Sequence, residues 1–181
     1  MQILVLLADG FEETEVVVPV DLWRRAGFNV TVASVSGESL VKGGHGINIA
    51  SDVALGKLDP TDFDAVFLPG GVVGVQNLKA SAAVENVICS LNDDNKWVLA
   101  ICAAPLVLSK ARILVDRKAT CYPGCEKELV CREFSEERVV VDGNIVTSRG
   151  AGTAEEFALK CIAVIGGVEI SEKIKNQIIA R

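Results

Sequence analysis

A cysteine between a predicted strand and a predicted helix is the part of this sequence that most clearly suggests chemistry. In residues 100–105 (AICAAP), small alanines stand two positions before and two positions after Cys102. This is the spacing of a nucleophile elbow, with alanines where glycines are more usual, because the sharp turn excludes bulky neighbours. The start of a helix also favours the thiolate, the nucleophilic form of the side chain. The pattern predicts a reactive thiol; the alternative is a buried cysteine that packs as a small apolar residue.

Two further motifs follow apolar runs that are predicted to be neighbouring strands. Gly70 and Gly71 follow one run, and their backbone N–H groups are free to meet a developing negative charge, as in an oxyanion hole; alone, such a pair usually marks a turn. Glu12 and Glu13 follow the first run and are expected to be solvated acids that complement a helix dipole. Glu15 lies where the apolar pattern of that helix begins, so its carboxyl is expected to point inward and to tune the cysteine.

Four runs of apolar residues are predicted to be the strands that position these groups. They comprise residues 3–8, 30–35, 65–68 and 98–101. Apolar residues that continue without alternation are typical of a parallel sheet covered on both faces. Because amphipathic stretches alternate with these runs, the sequence predicts an α/β protein, a three-layer α/β/α sandwich with a mostly parallel sheet, in a single domain of residues 1–181. Open sheets of this kind bind ligands at the carboxyl ends of their strands, where the three motifs lie.

The remaining elements are predicted from helical periodicity and from turn residues. The predicted helices comprise residues 12–26, 77–91, 105–111, 153–165 and 171–179, and a hairpin with an Asp-Gly turn joins residues 139–141 to 145–147. Thr153 and Glu156 are expected to form a capping box, and Ser171 is expected to cap the last helix. Pro19 is expected to loosen or bend the first helix.

The composition of the chain excludes some classes of function. It has 181 residues, of which 50% are apolar, and a net charge of -6. Such a chain is expected to form a globular core and to bind neither nucleic acid nor a membrane surface. The first apolar run, residues 3–8, is too short to span a bilayer and lacks the positive flank of a signal peptide. We therefore expect a cytoplasmic protein with reduced cysteines.

Three further cysteines raise the question of a metal site. Cys121, Cys125 and Cys131 are close in sequence, but they lack the paired two-residue intervals of structural zinc sites and have no fourth ligand nearby. We expect no metal here. The alternatives are reduced structural or exposed thiols, or an accessible second redox cysteine among the three.

Together these motifs match a known family in the same order along the chain. The matching residues are 10–15 (GFEETE), 18–21 (VPVD), 68–71 (LPGG), 100–105 (AICAAP) and 147–153 (TSRGAGT). From about residue 3 to about residue 166 the chain closely resembles the ThiJ/PfpI superfamily, and within it the branch of the Parkinson-disease-associated protein deglycase and its bacterial YajL relatives. The resemblance implies a flavodoxin-like fold, a homodimer and no cofactor.

The resemblance also implies roles for individual residues. Cys102 matches the reactive cysteine, and Glu15 matches its companion acid, which is expected to be protonated and to donate a hydrogen bond to the thiolate. Such a bond favours the charged sulfur and is expected to lower the pKa of Cys102. Gly71 and Ala103 match the oxyanion-binding backbone, and Gly70 is grouped with them as a substrate-binding residue.

The chain departs from the family at two positions and lacks the marks of two related classes. Tyr122 stands where many members have a histidine, and it is expected to face the substrate in its place. The only histidine, His45, matches an arginine of close relatives and is expected to lie in a surface turn, so a Cys–His dyad is not supported. Ala103 replaces the histidine of the peptidase members, and the histidine that glutamine amidotransferases need after Cys102 is absent.

Three functions remain open. The first is a slow, cysteine-dependent glyoxalase or deglycase that acts on glyoxal or methylglyoxal and their protein adducts, without glutathione or metal, in oxidative and carbonyl stress. The second is a redox sensor or redox-dependent chaperone whose Cys102 is oxidised to a sulfinic acid that Glu15 stabilises. The third, a flavodoxin-like binder of small molecules, is disfavoured because the acids that follow Gly10 would repel a phosphate. The phenol of Tyr122 is a poor general base near neutral pH, which favours slow turnover.

Overall fold

Seven strands form one sheet through the middle of the computed structural model, which describes residues 1–180. In chain order the strands are β1 (Gln2–Leu7), β2 (Asn29–Ser34), β3 (Leu40–Val41), β4 (Ile49–Ala50), β5 (Val53–Ala54), β6 (Ala65–Leu68), β7 (Trp97–Ile101), β8 (Lys118–Ala119), β9 (Glu133–Phe134), β10 (Val139–Asp142) and β11 (Ile145–Ser148). The sheet has the order β10-β11-β7-β6-β1-β2-β5 and is parallel except for the edge pair of β10 and β11. Outside it, β3 pairs with β4 and β8 pairs with β9.

The strands at the centre of the sheet are apolar along their length because both of their faces are covered. In β1, Ile3 and Val5 belong to one hydrophobic cluster, and Leu4 and Leu6 belong to the cluster on the opposite face. All four side chains are completely buried. Burying a side chain of this size stabilises the fold by about 1.5–3 kcal/mol. Two-sided burial therefore explains why these runs do not alternate with polar residues.

Within residues 1–180, six α-helices cover the two faces of the sheet, three on each. They are α1 (Glu13–Arg25), α2 (Val72–Ala80), α3 (Ala82–Asp93), α4 (Pro105–Lys110), α5 (Ala154–Gly166) and α6 (Val168–Gln177). Helices α1, α5 and α6 pack on the cluster that contains Ile3, whereas α2, α3 and α4 pack on the cluster that contains Leu4. The predicted three-layer α/β/α sandwich with a mostly parallel sheet is confirmed. None of the helices in the described part of the chain is both long and apolar enough to cross a membrane.

The region predicted as one helix over residues 77–91 belongs to two helices that meet at Ser81. The backbone of Ser81 is extended (φ −90°, ψ 115°), so this residue ends α2 and begins α3. Its Oγ accepts a hydrogen bond from the Val84 amide at 3.4 Å, as an N-cap does. Both helices pack on the same hydrophobic cluster, so the apolar pattern continues across the break and conceals it.

The predicted capping box of α5 is wrong because both side chains bind elsewhere. Thr153 precedes α5, but its Oγ1 lies 2.7 Å from Ser148 Oγ and donates a hydrogen bond to the Gly150 carbonyl at 2.8 Å. Glu156 forms an ion pair with Arg138 at 2.6 Å. These partners come from the end of β11 and from the segment before β10, so they depend on tertiary contacts that the local sequence does not show.

The last helix also differs from its predicted form, whereas the first agrees with its prediction to within one residue at each end. α6 begins at Val168, so Ser171 lies inside it instead of capping it, and its hydroxyl donates to the Leu159 carbonyl of α5 at 2.8 Å. α1 continues through Pro19 to Arg25. A proline lacks the N–H that would bond to the carbonyl four residues before it, which here is that of Glu15.

Candidate active site

The carboxyl ends of β1, β6 and β7 lie side by side, and a pocket of about 590 Å³ opens next to them. The three motifs that follow these strands all contribute to the pocket. Its walls are formed by Gly10, Phe11, Glu12, Glu15, Gly44, His45, Gly71, Val72, Val73, Cys102, Ala103, Tyr122, Cys125 and Ala151. This is the position at which open α/β sheets bind their ligands.

Cys102 occupies the turn between β7 and α4 in a left-handed backbone conformation (φ +66°). Its amide donates to the Ser148 carbonyl at 2.9 Å, and its carbonyl accepts from the Tyr122 amide at 2.7 Å. A residue other than glycine in this conformation costs about 1–3 kcal/mol, which the surrounding contacts must offset. The turn holds the partly exposed thiol at the wall of the pocket.

A buried carboxyl lies against this thiol. Glu15 is 1% exposed, its Oε2 accepts a hydrogen bond from the Gly70 amide at 2.8 Å, and its carboxyl lies against the Cys102 thiol. The other oxygen, Oε1, has no hydrogen-bond partner among residues 1–180. A Cβ atom on Gly70 would lie 2.5 Å from both Cys102 Cβ and Glu15 Oε2. Only glycine at this position therefore lets the two side chains approach each other.

The pKa values of this pair reflect burial and mutual repulsion. Burial raises the pKa of Glu15 to about 7, although its hydrogen bonds with Cys102 and Gly70 oppose the change. Burial, and then the negative charge of Glu15, raise the pKa of Cys102, opposed by the amides of Gly71 and Ala103. The expected lowering of the Cys102 pKa is therefore not found, because burial disfavours the thiolate and an ionised carboxylate beside it repels it. Only protonated Glu15 is able to donate a hydrogen bond to the sulfur.

Two backbone amides, those of Gly71 and Ala103, face the Cys102 sulfur. Gly71 has φ +93°, and a Cβ atom there would overlap the Gly10 carbonyl oxygen and lie 2.7 Å from the Glu12 amide nitrogen. The loop after β1 and the loop after β6 approach each other so closely here that position 71 requires glycine. The amides point to the place where negative charge develops when the sulfur ionises or attacks.

Tyr122 lies at the wall of the same pocket and is half exposed. Its ring packs beside Gly150, with Cδ2 3.1 Å from the place that a Cβ atom on that glycine would occupy. The structure thus brings together all the residues predicted for the site, which are Cys102, Glu15, Gly70, Gly71, Ala103 and Tyr122. The chemical roles assigned to them stay predictions.

Sequence reasoning missed a second cluster at the rim of the pocket. Glu13, expected to be solvated, is only 5% exposed and accepts hydrogen bonds from the His45 and Ile47 amides at 2.7 and 3.2 Å. The Nδ1 atom of His45 lies 2.9 Å from Glu13 and 3.3 Å from Glu12. The hydrogen bond to Glu13 and the two negative charges raise the pKa of His45. His45 does lie in an exposed turn, as expected, but this turn is attached to the start of α1.

This cluster is also the one place, within the described residues, where three potential metal ligands converge. The ligand atoms of Glu12, Glu13 and His45 all lie within 4.8 Å of one another. The three cysteines considered for zinc do not meet in this way over residues 1–180. Each of them is a free thiol.

Glu13 is expected to make the stability of the protein depend on pH in the acid range. Burial alone would raise its pKa, but hydrogen bonds from His45 and Ile47 lower it to about 2. Ionised Glu13 therefore stabilises the folded state above its unfolded-state pKa of 4.5, and this stabilisation is lost as the pH falls toward 2. Urea unfolding in this range should show a weaker pH dependence for Glu13→Gln than for the wild type. Glu155→Gln, on the exposed side of α5, should match the wild type, and equal slopes in all three proteins would contradict the prediction.

Comparison with known proteins agrees with the resemblance seen in the sequence. The profile of the DJ-1/PfpI family matches residues 1–176. The Parkinson disease protein 7 homolog of Danio rerio is 39% identical over 184 residues, which cover 98% of this chain and 96% of that protein. A protein of Pyrococcus abyssi that is named a deglycase is 34% identical over 154 residues, which cover 84% of this chain and 92% of that protein.

A solved structure leads to the same assignment. The crystal structure of Drosophila melanogaster DJ-1beta matches with a TM-score of 0.94 at 37% identity, and the match covers 99% of this chain and 98% of that one. The fold is therefore the flavodoxin-like fold that the resemblance implies. By its sequence and by its fold, this chain belongs to the DJ-1/PfpI family.

Proposed function

We propose that this protein converts small α-oxoaldehydes, such as glyoxal and methylglyoxal, into 2-hydroxy acids. The observation that carries the proposal is the contact between the buried carboxyl of Glu15 and the Cys102 thiol, beside two backbone amides. A nucleophile with an acid–base group in hydrogen-bond contact is the arrangement that such a conversion requires. The relative that is named a deglycase supports a substrate of the reactive carbonyl class.

The reaction begins with addition of the sulfur to the aldehyde carbon. Glu15 accepts the proton of Cys102 as the sulfur attacks, a C–S bond forms, and the electron pair of the C=O bond moves to the oxygen. The amides of Gly71 and Ala103 stabilise the negative charge on that oxygen. Glu15 then returns the proton to the oxygen, which completes a hemithioacetal.

The second stage moves a proton between two carbons of this adduct. The Glu15 carboxylate removes the hydrogen of the former aldehyde carbon, and the proton reaches the neighbouring carbonyl carbon by way of an enediol. The product is a thioester of Cys102, and water hydrolyses it to the 2-hydroxy acid and the free thiol. The net reaction adds one water molecule and needs neither glutathione nor an external oxidant. Because amines and thiols release bound aldehydes reversibly, consumption of the aldehyde also reverses adducts on proteins.

The test of the proposed function is the formation of lactate from methylglyoxal by the purified, reduced protein. We expect several molecules of lactate per protein molecule without added glutathione. Aldehyde consumption that stops at the number of thiols, with no lactate, would show simple adduct formation and reject the enzymatic function.

A redox sensor or redox-dependent chaperone is the second candidate, and the same pair of residues favours it. The partly exposed thiol of Cys102 is accessible to peroxide from the pocket. Glu15 lies against that sulfur, and in its protonated form it carries a proton that an oxygen added to the sulfur can accept. Selective oxidation of Cys102 in a protein that forms no lactate would favour this function over the enzyme.

We also propose that the protein forms a homodimer through the outer side of α1. Val17 is 51% exposed on this helix. Two shallow grooves flank it, one lined by Val18 and Leu22 and the other by Val20 and Ile49. Asp21 also borders both grooves, and Arg24 and Arg25 each border one, so this side of α1 combines an exposed valine with charges of both signs. A two-fold dimer buries the same patch of both copies, and such a patch is able to pair with itself.

Val17→Lys is expected to convert the dimer into a monomer, because a two-fold interface would remove two added charges from water. Light scattering coupled to gel filtration measures the mass. Val168→Lys, at a 65% exposed position on α6, is the matched control and should leave the mass unchanged. A wild-type mass of one chain, or a dimer that survives Val17→Lys, would contradict this interface.

A further inference from the structure

A second thiol lines the pocket that contains Cys102. Cys125 is partly exposed, and over residues 1–180 it is the only other cysteine that borders this pocket. Cys121 and Cys161 are completely buried, and Cys89 borders a different groove. Two partly exposed thiols on one cavity are the arrangement from which a redox pair forms.

The backbone places Cys125 one turn after Tyr122, whose amide is hydrogen-bonded to Cys102. The Tyr122 amide donates to the Cys102 carbonyl at 2.7 Å, and the Cys125 amide donates to the Tyr122 carbonyl at 3.0 Å. Gly124 precedes Cys125 with φ +96°. Residues 120–132 contain no helix or strand, and a disulfide requires that this turn bring the two sulfur atoms to bonding distance.

We propose that Cys125 is a resolving cysteine for Cys102. A hydroperoxide oxidises Cys102 to a sulfenic acid, Cys125 condenses with it to an intramolecular disulfide, and a small dithiol reduces the disulfide again. This inference rests on the reactivity of Cys102 in the proposed function, and it adds a partner thiol and a second substrate class, hydroperoxides. A disulfide at Cys102 is reduced again by a thiol, whereas a sulfinic acid is not.

The cycle of oxidation and reduction at Cys102 has three steps. The sulfur of Cys102 takes the terminal oxygen of the hydroperoxide, the O–O bond breaks, and water or an alcohol leaves. The sulfur of Cys125 then attacks the sulfenic sulfur, the S–S bond forms, the S–O bond breaks, and the hydroxyl leaves as water with the thiol proton. The dithiol finally supplies two electrons and two protons and is itself oxidised to a disulfide.

The surroundings of the two thiols divide these roles between them. Burial raises the pKa of both thiols, and the charges of Glu128 and Glu126 add to the rise at Cys125, so their pKa values do not divide the roles. The difference lies in the neighbouring base: Cys102 contacts Glu15, which accepts its proton as the sulfur attacks. Peroxide therefore reacts first with Cys102, and Cys125 competes with a second peroxide molecule for the sulfenic acid.

The test maps the cysteines after the reduced, full-length protein has reacted with equimolar hydrogen peroxide. Free thiols are alkylated under denaturing conditions, and trypsin then leaves Cys102 in peptide 97–110 and both Cys121 and Cys125 in peptide 119–127. We expect these two peptides to be linked, with fragmentation locating the bond at Cys125 and an alkylated Cys121. The linked product should disappear after treatment with dithiothreitol.

Cys125→Ser should lose the linked peptides and accumulate sulfinic acid at Cys102, whereas Cys131→Ser, the matched control in the same segment, should form them as the wild type does. The proposal is overturned by an unoxidised Cys102, by equal sulfinic acid in the wild type and Cys125→Ser, or by a bond between Cys121 and Cys125. A negative result for the disulfide does not count against the proposed function, because lactate formation is measured separately, on reduced protein without peroxide.

Discussion

Replacing Cys102 with alanine is expected to abolish the conversion of methylglyoxal to lactate while the protein stays folded. In the proposed reaction the sulfur forms the bond to the substrate, and alanine offers no atom that can take its place. The rate should fall by about 10³-fold or more, to that of a solution without protein. Alanine has a similar volume and the same backbone freedom, so circular dichroism and the thermal midpoint should change little.

Cys131→Ala is the control for this experiment, because it removes a partly exposed thiol that does not border the pocket. It should retain the full rate of lactate formation. Full activity in Cys102→Ala would remove the basis of the proposed function. A loss of activity in both variants would indicate a general role of thiols and not a specific role of Cys102.

Glu15→Gln is expected to slow lactate formation by about 10²–10⁴-fold, the usual contribution of a positioned acid–base group. Glutamine keeps the shape of the side chain and its acceptor for the Gly70 amide, but it cannot carry a proton between atoms. Lactate formation that equals the wild-type rate would exclude Glu15 as the group that moves the proton.

The same substitution should stabilise the protein while it slows the reaction. The pKa of Glu15 is about 7 in the folded protein against 4.5 for the free side chain, so the unfolded chain loses this proton first as the pH rises. The free energy of unfolding of the wild type therefore decreases between pH 4.5 and 7. Above that range Glu15→Gln should be more stable by up to about 3 kcal/mol, and below it the gain should vanish. Urea unfolding at several pH values measures the difference.

The rate at which iodoacetamide alkylates Cys102 gives the titration of the pair directly. In the wild type we expect an inflection near pH 7, where the pair loses its first proton, with Glu15 as the ionising group. Glu15→Gln should lack this inflection. Glu12→Gln is the matched control, and it should move the inflection to lower pH, because the charge of Glu12 raises the pKa of Glu15. An inflection that persists in Glu15→Gln would belong to another group.

Much of the sheet is predictable because a strand covered on both faces is apolar regardless of what covers it. The predicted run of residues 65–68 matches β6, and residues 98–101 fall within β7. The helix ends were harder to predict, since a hydroxyl next to a helix has several possible partners. Thr153 binds Ser148, and Ser171 binds the carbonyl of Leu159, so neither forms the predicted cap. The partner that each hydroxyl binds depends on residues that other helices and strands bring next to it.

The sequence by itself determined the layered α/β fold and the position of Cys102 at a strand end, because two-sided burial and the sterics of a tight turn leave local patterns. Tertiary structure alone decided that Glu13 is buried and which partners Glu13 and Glu15 bind, whereas the apolar pattern of α1 had already indicated that Glu15 points inward. Glu12, Glu13 and Glu15 are chemically alike and share the start of α1, yet Glu13 binds a turn 32 residues away and Glu15 binds Gly70, 55 residues away. A side chain's environment is set by the elements that pack against it, and no local pattern reports such distant partners.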